Sequence, residues 1–231
     1  MDTSSLQIRC EYFNPVNYND FKALMQLCFA DMGGEFACEE EMHLLSDLYP
    51  RGQIVAYHNG HMIGAVISRI VPLESYNKAH RQAEILDLNT YVADAAIGNA
   101  LYGLDIFVHP DYRTIKLGHA LYGKLIDEFT ADNFTDFLGA SRVSNYSRYA
   151  SEMPLEEYVE KVKNREIKDG ALSFHFYNGM KVFDVMYDFN EGDTVSMGCG
   201  VAMGCTNPHY DPTLPTYTER QQQLAKFLVH E

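Results

Sequence analysis

Apolar positions along this chain alternate between two spacings, every second residue and every third or fourth. Each spacing marks a different element. Residues 7–13 (QIRCEYF) predict a first strand. Phe21, Leu24, Met25 and Cys28 recur at helical spacing, so a helix is expected from Asn17 or Asn19 to about Met32, ended by Gly33-Gly34. Glu39–Leu48 predicts a second helix whose acidic first turn suits the helix dipole. Pro50-Arg51-Gly52 breaks the chain. Gln53–Tyr57 and His61–Val71 flank His58-Asn59-Gly60, and Asn-Gly supplies the positive φ angles of a tight hairpin turn. Residues 72–98 show no clear period and read as an excursion over the surface.

The second half continues with a strand over Leu101–Val108 and a helix over Leu117–Phe129, where Leu117, Leu121, Leu125 and Phe129 lie four apart. Phe137–Ser141 predicts a strand, Pro154–Asn164 a helix with Pro near its start, and Leu172–Tyr177 a helix ended by Asn178-Gly179. Met180–Asp188 and Thr194–Met203 predict strands, and Thr218–Val229 a last helix after a Pro-rich stretch. The order β-α-α-β-β-β-α-β-α-α-β-β predicts an α/β (α+β) fold, a mixed sheet with helices on both faces. No composition shift splits it into two cores.

Composition narrows the function classes. Hydrophobic residues make up 46% of the 231, enough for a sizeable core. No stretch reaches the ~18–20 apolar residues of a membrane span, and the N-terminus lacks a signal-peptide pattern, so a cytoplasmic protein is expected. Five cysteines without a CxxC pair argue for reduced thiols and against a structural zinc, and no metal is expected. A net charge of −14 disfavours nucleic acid and anionic membranes, which need a basic footprint, and is compatible with cationic amine substrates.

One segment departs from that acidic background. In LDIFVHPDYRTIKLGHALYGKL (104–125) an apolar strand ends at Pro110, a loop follows, and a helix begins near Leu117. Between His109 and Lys124 the bases Arg113, Lys116 and Lys124 stand against the single acid Asp111, a local balance of +2 (three bases less one acid). N–H groups at a loop and helix start have no intrahelical partner and can cradle an anion such as a pyrophosphate. Neither G-x-G-x-x-G nor a Walker pattern is present, which disfavours dinucleotide and P-loop readings.

V-H-P-D-Y-R-x-x-x-L-G-x-A-L resembles motif A of the GNAT acetyltransferase superfamily, Q/R-x-x-G-x-G/A. Arg113 stands at its first position, Gly118 at its last Gly, and Lys116 replaces the middle Gly. ALYGLDIFVHPDYR, RVSNYSRYASEMPLEEYVEKVKNREIKDGALSFHFYNGMKV and SMGCGVAMGCTNP further resemble GNAT domains often fused to carbon–nitrogen hydrolases, over residues 50–208. No such hydrolase domain is expected within these residues, and none of the cysteines is expected to be that domain's nucleophile. The resemblance implies a mostly antiparallel central sheet, a domain over 1–208, and a helical extension over 209–231 packed on the same domain. It also implies acetyl-CoA or another acyl-CoA as co-substrate. Ile106, Phe107 and Val108 would meet the pantetheine arm through their backbone. Arg113, Thr114, Ile115, Lys116, Leu117, Gly118, His119 and Ala120 would wrap the pyrophosphate.

The implied activity is N-acyl transfer, acetyl first, to a small-molecule amine or a protein amino group, with a homodimer expected by analogy alone. Relatives place a Tyr acid four residues before a Gly-Phe pair. Here the pair is Gly179-Met180 and the fourth residue back is His175, the first candidate acid, with Tyr177 the second. Asp105, on the strand beside the expected thioester, is the candidate base. Tyr102 is expected to pack. Ser144, Asn145 and Tyr146 are acceptor-pocket candidates, though a surface loop is the plainer reading. His58, His61 and Glu39–Glu41 are expected to be solvated, and Cys199 and Cys205 packed. Two other readings stand beside transfer: a catalytically silent acyl-CoA-binding module, and an interaction domain with a vestigial cofactor loop.

Overall fold

The computed structural model describes residues 7–30 and 37–228. Seven strands form one sheet in the order β1-β2-β3-β4-β5-β7-β6. They are β1 (Ile8–Tyr12), β2 (Ile54–His58), β3 (His61–Val71), β4 (Ala100–Val108), β5 (Asp136–Arg142), β6 (Lys181–Met186) and β7 (Gly200–Thr206). Every neighbouring pair is antiparallel except β4–β5. The β2–β3 hairpin turns on Asn59 and Gly60, both at positive φ (51° and 80°).

The helices are α1 (Tyr18–Cys28), α2 (Glu39–Leu48), α3 (Leu73–Tyr76), α4 (Gln82–Ile85), α5 (Leu88–Ile97), α6 (Leu117–Ala131), α7 (Leu155–Lys163), α8 (Gly170–Tyr177) and α9 (Tyr217–Leu228). Strand residues alternate between two cores, as a period of two requires. On one face Ile54, Val66, Leu101, Phe137 and Met203 pack with Leu121, Leu125, Val159 and Leu172 of α6, α7 and α8. On the other, Val55, Ala65, Ile67 and Phe107 pack with Phe21, Met25 and Leu45 of α1 and α2 and with Tyr91 of α5. This is the expected mixed, mostly antiparallel sheet with helices on both faces.

Three expectations are corrected. Residues 72–98 are not a surface excursion: they fold as α3, α4 and α5 and bury Tyr76, His80, Ile85 and Tyr91. The aromatic and aliphatic anchors sit in separate short helices, so no single period spans them, and only Asp87, whose side chain caps Asn89 N–H, gives a start signal. The last strand begins at Gly200, not Thr194, because Met197 and Gly198 take positive φ (55° and 75°) and form a turn. Helix α1 ends at Cys28, short of Met32; Gly33-Gly34 lies outside the described residues. Near the C-terminus, Tyr217 of α9 stacks edge-on to Tyr49 with centroids 4.8 Å apart. Arg220 reaches the Asp132 carboxylate at 2.5 Å.

Candidate active site

Among the described strands the one parallel pair, β4–β5, is also an incomplete one. β4 and β5 are in register from Ala100↔Asp136 to Gly103↔Gly139 and then separate. The divergence has two local causes. A Cβ on Gly103 would stand 3.0 Å from the Phe137 ring, so the strands approach closely only where side chains are absent. Beside it the β3–β4 register shifts between Ile67 and Ser68, leaving Leu104 as the extra residue of a bulge. The bulge also breaks the simple alternation that would set Leu104, Ile106 and Val108 on one face. Leu104 packs with the Phe107 core, while Ile106 and Val108 pack on the α6 side.

Beyond the last paired residues, Leu104–Val108 has no strand partner towards β5, and a cavity of about 400 Å³ opens there. Ile106, Phe107, Val108, Phe137 and Phe174 give it apolar walls, with Arg113 and Gly118 at one end. An extended chain carrying amides can add itself to such an open backbone edge. The Val108 carbonyl is already taken, by the Arg113 Nε–H at 3.3 Å and the Cys28 thiol at 3.4 Å.

At the cavity's Arg113 end the chain makes a turn of 3-10 helix over Pro110–Ile115, then Lys116 at φ 61°, then α6. Lys116 holds the left-handed conformation that a Gly would adopt without strain. No side chain caps the start of α6. A left-handed residue followed by an uncapped helix start turns consecutive N–H groups to one side, an anion-binding concavity. Thr114, Lys116 and Ala120 are exposed around it, Leu117 is buried in the core with Ile115 packed on that core, and His119 lies between the Phe174 and Tyr177 rings at 4.9 and 5.0 Å. Lys124 does not join them: its ammonium lies over the Tyr12 ring, 5.3 Å from the centroid. His58 is not simply solvated. Its Nδ1 meets the Tyr112 hydroxyl at 2.8 Å and ties the loop to β2.

The acid and base candidates separate sharply. Asp105 lines the cavity and has no hydrogen bond to any described residue. Burial in the cavity wall pushes its carboxyl up to about 7, with Glu41 adding to the rise and Arg142 opposing it. His175 also lines the cavity, its Nδ1 3.1 Å from the Met180 sulfur. Burial lowers it to about 4, so at neutral pH it is a neutral imidazole and not the cationic acid that an ordinary histidine can become. Tyr177 is 75% exposed and is not among the residues lining the cavity. Asn145 and Tyr146 are not among the residues lining the cavity: Asn145 N–H donates to Asp169 at 3.1 Å, and Tyr146 packs on Tyr158.

On the other face of the sheet lies a smaller chamber of about 60 Å³. It shares Phe29, Leu104, Asp105, Ala140 and Arg142 with the larger cavity, so the two meet at Asp105 through the gap in the sheet. Tyr102, Ile85, Leu86 and Phe189 add to its wall. Arg142 closes one side through a two-pronged ion pair with Asp193, at 2.7 and 2.9 Å. Glu41, expected to be solvated, is buried behind Asp105's strand and accepts from the Tyr91 hydroxyl at 2.5 Å. The convergence of these groups escaped sequence reasoning, because they come from separate elements and no spacing links them. Among the described residues there is no group of three or more His, Cys, Asp or Glu that could hold a metal, and no helix long and apolar enough to cross a membrane.

Comparisons with known proteins bear on this geometry. Residues 19–149 match the family described as "Acetyltransferase (GNAT) family". The probable hydrolase YhcX of Bacillus subtilis (strain 168) is 33% identical over 185 residues, covering 79% of this chain and 36% of YhcX. The chain thus spans about a third of that relative. The uncharacterized N-acetyltransferase YkwB of the same organism is 30% identical over 190 residues, covering 81% of this chain and 84% of YkwB. Among solved structures, the GphF GNAT-like decarboxylase in complex with isobutyryl-CoA shares the fold at a TM-score of 0.73 and 23% identity, over 86% of this chain and 98% of that one.

Proposed function

The chain belongs to the GNAT acetyltransferase family, and from that premise we propose that it transfers an acyl group, acetyl first, from acyl-CoA to a primary amine by direct attack. One observation supports this most: a cavity between parted strands runs from an anion-binding helix start to an unpartnered carboxylate. The residues present fit acyl-CoA. The loop 113–118 would hold the pyrophosphate, the open edge of β4 the pantetheine arm, and the apolar gap the thioester. Residues 1–208 would form the catalytic unit, with 209–231 as its extension.

In this reading the acceptor enters as an ammonium from the chamber face. Asp105, ionised in about half the molecules near its pKa of 7, takes one proton and leaves a neutral amine. The amine lone pair attacks the thioester carbonyl, the C–S bond breaks, and the second N–H proton passes by way of water to the departing thiolate. Free CoA thiol, the amide and one proton, held by Asp105 until the site reopens, are the products. His175, neutral in the cavity wall, serves as an N–H donor that orients the thioester. Its low basicity speaks against the proton-donating role that the motif position implies.

Thermal unfolding with and without millimolar acetyl-CoA tests the assignment, on wild type and on Gly118→Trp. A Cβ at Gly118 meets only Phe174 and Val108, at 3.8 Å, so the substitution projects into the cavity without a backbone clash. Ligand at 100 times its Kd stabilises by about 2.7 kcal/mol. A clear rise in wild type that vanishes in the variant is expected. No shift in wild type with any acyl chain length removes the acyl-CoA reading.

A further inference from the structure

The chamber beyond Asp105 is lined by a second polar group whose proton is already committed. Tyr102 is 2% exposed, and its hydroxyl lies 2.8 Å from His80 Nε2. His80 Nδ1 lies 2.8 Å from the Lys78 carbonyl oxygen. A carbonyl can only accept, so Nδ1 carries the imidazole hydrogen and Nε2 is bare. Burial lowers the His80 pKa and keeps the ring neutral. The Tyr102 hydroxyl must therefore donate to His80, and its oxygen has only lone pairs left to offer.

We propose that Tyr102 is a specificity-determining residue of the acceptor site, held as a pure hydrogen-bond acceptor by His80, and that the chamber takes an unbranched primary amine on an apolar chain. This rests on the acyl-transfer reading above. Asp105 has no hydrogen-bond partner among the described residues, whereas Arg142 and Asp193 satisfy each other and Asp193 also accepts from Ser196 N–H at 3.2 Å. Asp105 and Tyr102 both present lone pairs that call for N–H donors. A primary ammonium brings three. One proton goes to Asp105, one N–H stays on Tyr102, and the lone pair is left to point through the gap at the thioester. Ile85, Leu86 and Phe189 wall part of the space around that nitrogen, with Gln82 and Asn190 also on the lining, and at about 60 Å³ against about 400 Å³ the chamber is much the narrower of the two cavities, which disfavours a branch beside the nitrogen. His80 touches none of the reacting atoms and acts as a positioning residue.

The test compares unbranched primary alkylamines with their N-methyl and α-branched counterparts, using acetyl-CoA and the full chain. Wild type is expected to favour the unbranched primary amines at least tenfold in kcat/KM. Tyr102→Phe should raise their KM about tenfold, with the size preference, kcat at saturation and the acetyl-CoA thermal shift little changed. His80→Gln, whose side-chain carbonyl can still take the tyrosine proton, should retain the wild-type KM, and His80→Leu should raise it. A general packing defect would lower kcat and the cofactor shift in both histidine variants alike. Wild-type turnover with no preference, or a Tyr102→Phe enzyme that keeps its KM, overturns the proposal while leaving acyl transfer standing. Acetyl-CoA binding without acylation of any amine overturns the proposal together with the reading beneath it.

Discussion

The two sides of the sheet gap are built in opposite ways. The anion loop and open strand edge of the cofactor side come from one continuous run, β4, the Pro110–Ile115 turn, Lys116 and the start of α6, all within residues 100–118, while Phe137 and Phe174 complete its wall. Its chemistry is mainly backbone chemistry, an unpaired strand edge and an uncapped helix start. The acceptor side is assembled from α1, the 72–98 helices, β4, β5 and the turn before β7, and its chemistry lies in the side chains Asp105, Tyr102 and Arg142. A ligand common to a whole family can be read by backbone, which tolerates side-chain change. A substrate peculiar to one protein needs side chains brought together from far apart.

Asp105, where the two sides meet, gives the largest expected effect. Asp105→Asn keeps the shape and removes the base, so kcat/KM should fall about 10²–10³-fold. In wild type kcat/KM should climb with pH and level off above about 7, the Asp105 pKa. Stability should move the other way. A carboxyl raised from 3.8 to about 7 in the folded protein favours folding in its protonated form. That advantage is complete below the unfolded pKa and is lost as pH rises towards 7. Asp105→Asn should therefore match wild type near pH 4 and exceed it by about 2–4 kcal/mol at pH 8. Chemical denaturation at the two pH values checks this. Equal stability at pH 8 would mean that Asp105 is better solvated than its place in the cavity wall implies.

This contrast also explains what could be read from sequence. The strand–loop–helix run shows its apolar spacing, its Pro break, its local positive charge and its motif within about twenty residues, so the element boundaries and the loop's place follow directly. His58 shows the limit of such reading. Its sequence neighbours Asn59 and Gly60 mark a turn, and nothing local reveals that Tyr112, fifty-four residues away, meets its ring at 2.8 Å. The 72–98 segment fails for the same reason. Tyr76, His80, Ile85 and Tyr91 are buried by contact with the sheet and not by a shared helical face. The proton demand of Asp105 and the pairing of Tyr102 with His80 are tertiary facts of this kind.

The His58–Tyr112 tie offers a smaller test of how firmly the cofactor side is set. Tyr112→Phe removes the hydroxyl from a partly exposed hydrogen bond, worth about 0.5–1.5 kcal/mol. If the bond holds the loop in its binding shape, the acetyl-CoA Kd should rise about three- to tenfold, with the acceptor KM unchanged. An equal rise in both constants would show that the two sides are coupled through β4 and not independent.

The smallest expected effect concerns the residue where this chain departs from the family pattern. Lys116 sits at φ 61°, ψ 24°, where a side chain is disfavoured by about 1–2 kcal/mol. Lys116→Gly relieves that strain but frees the unfolded chain, which offsets about 0.5–1 kcal/mol of the gain. Net stability should rise by no more than about 1 kcal/mol. The same change removes an exposed positive charge from the mouth of the anion concavity. The acetyl-CoA Kd should then rise two- to fivefold at low salt and converge with wild type as added salt screens the lost charge. A stabler variant with weaker, less salt-sensitive binding would mean that the lysine is retained for phosphate contact at the expense of backbone strain. A stabler variant with unchanged Kd would mean that the loop's N–H groups hold the pyrophosphate unaided, and that the cofactor side is set by backbone alone.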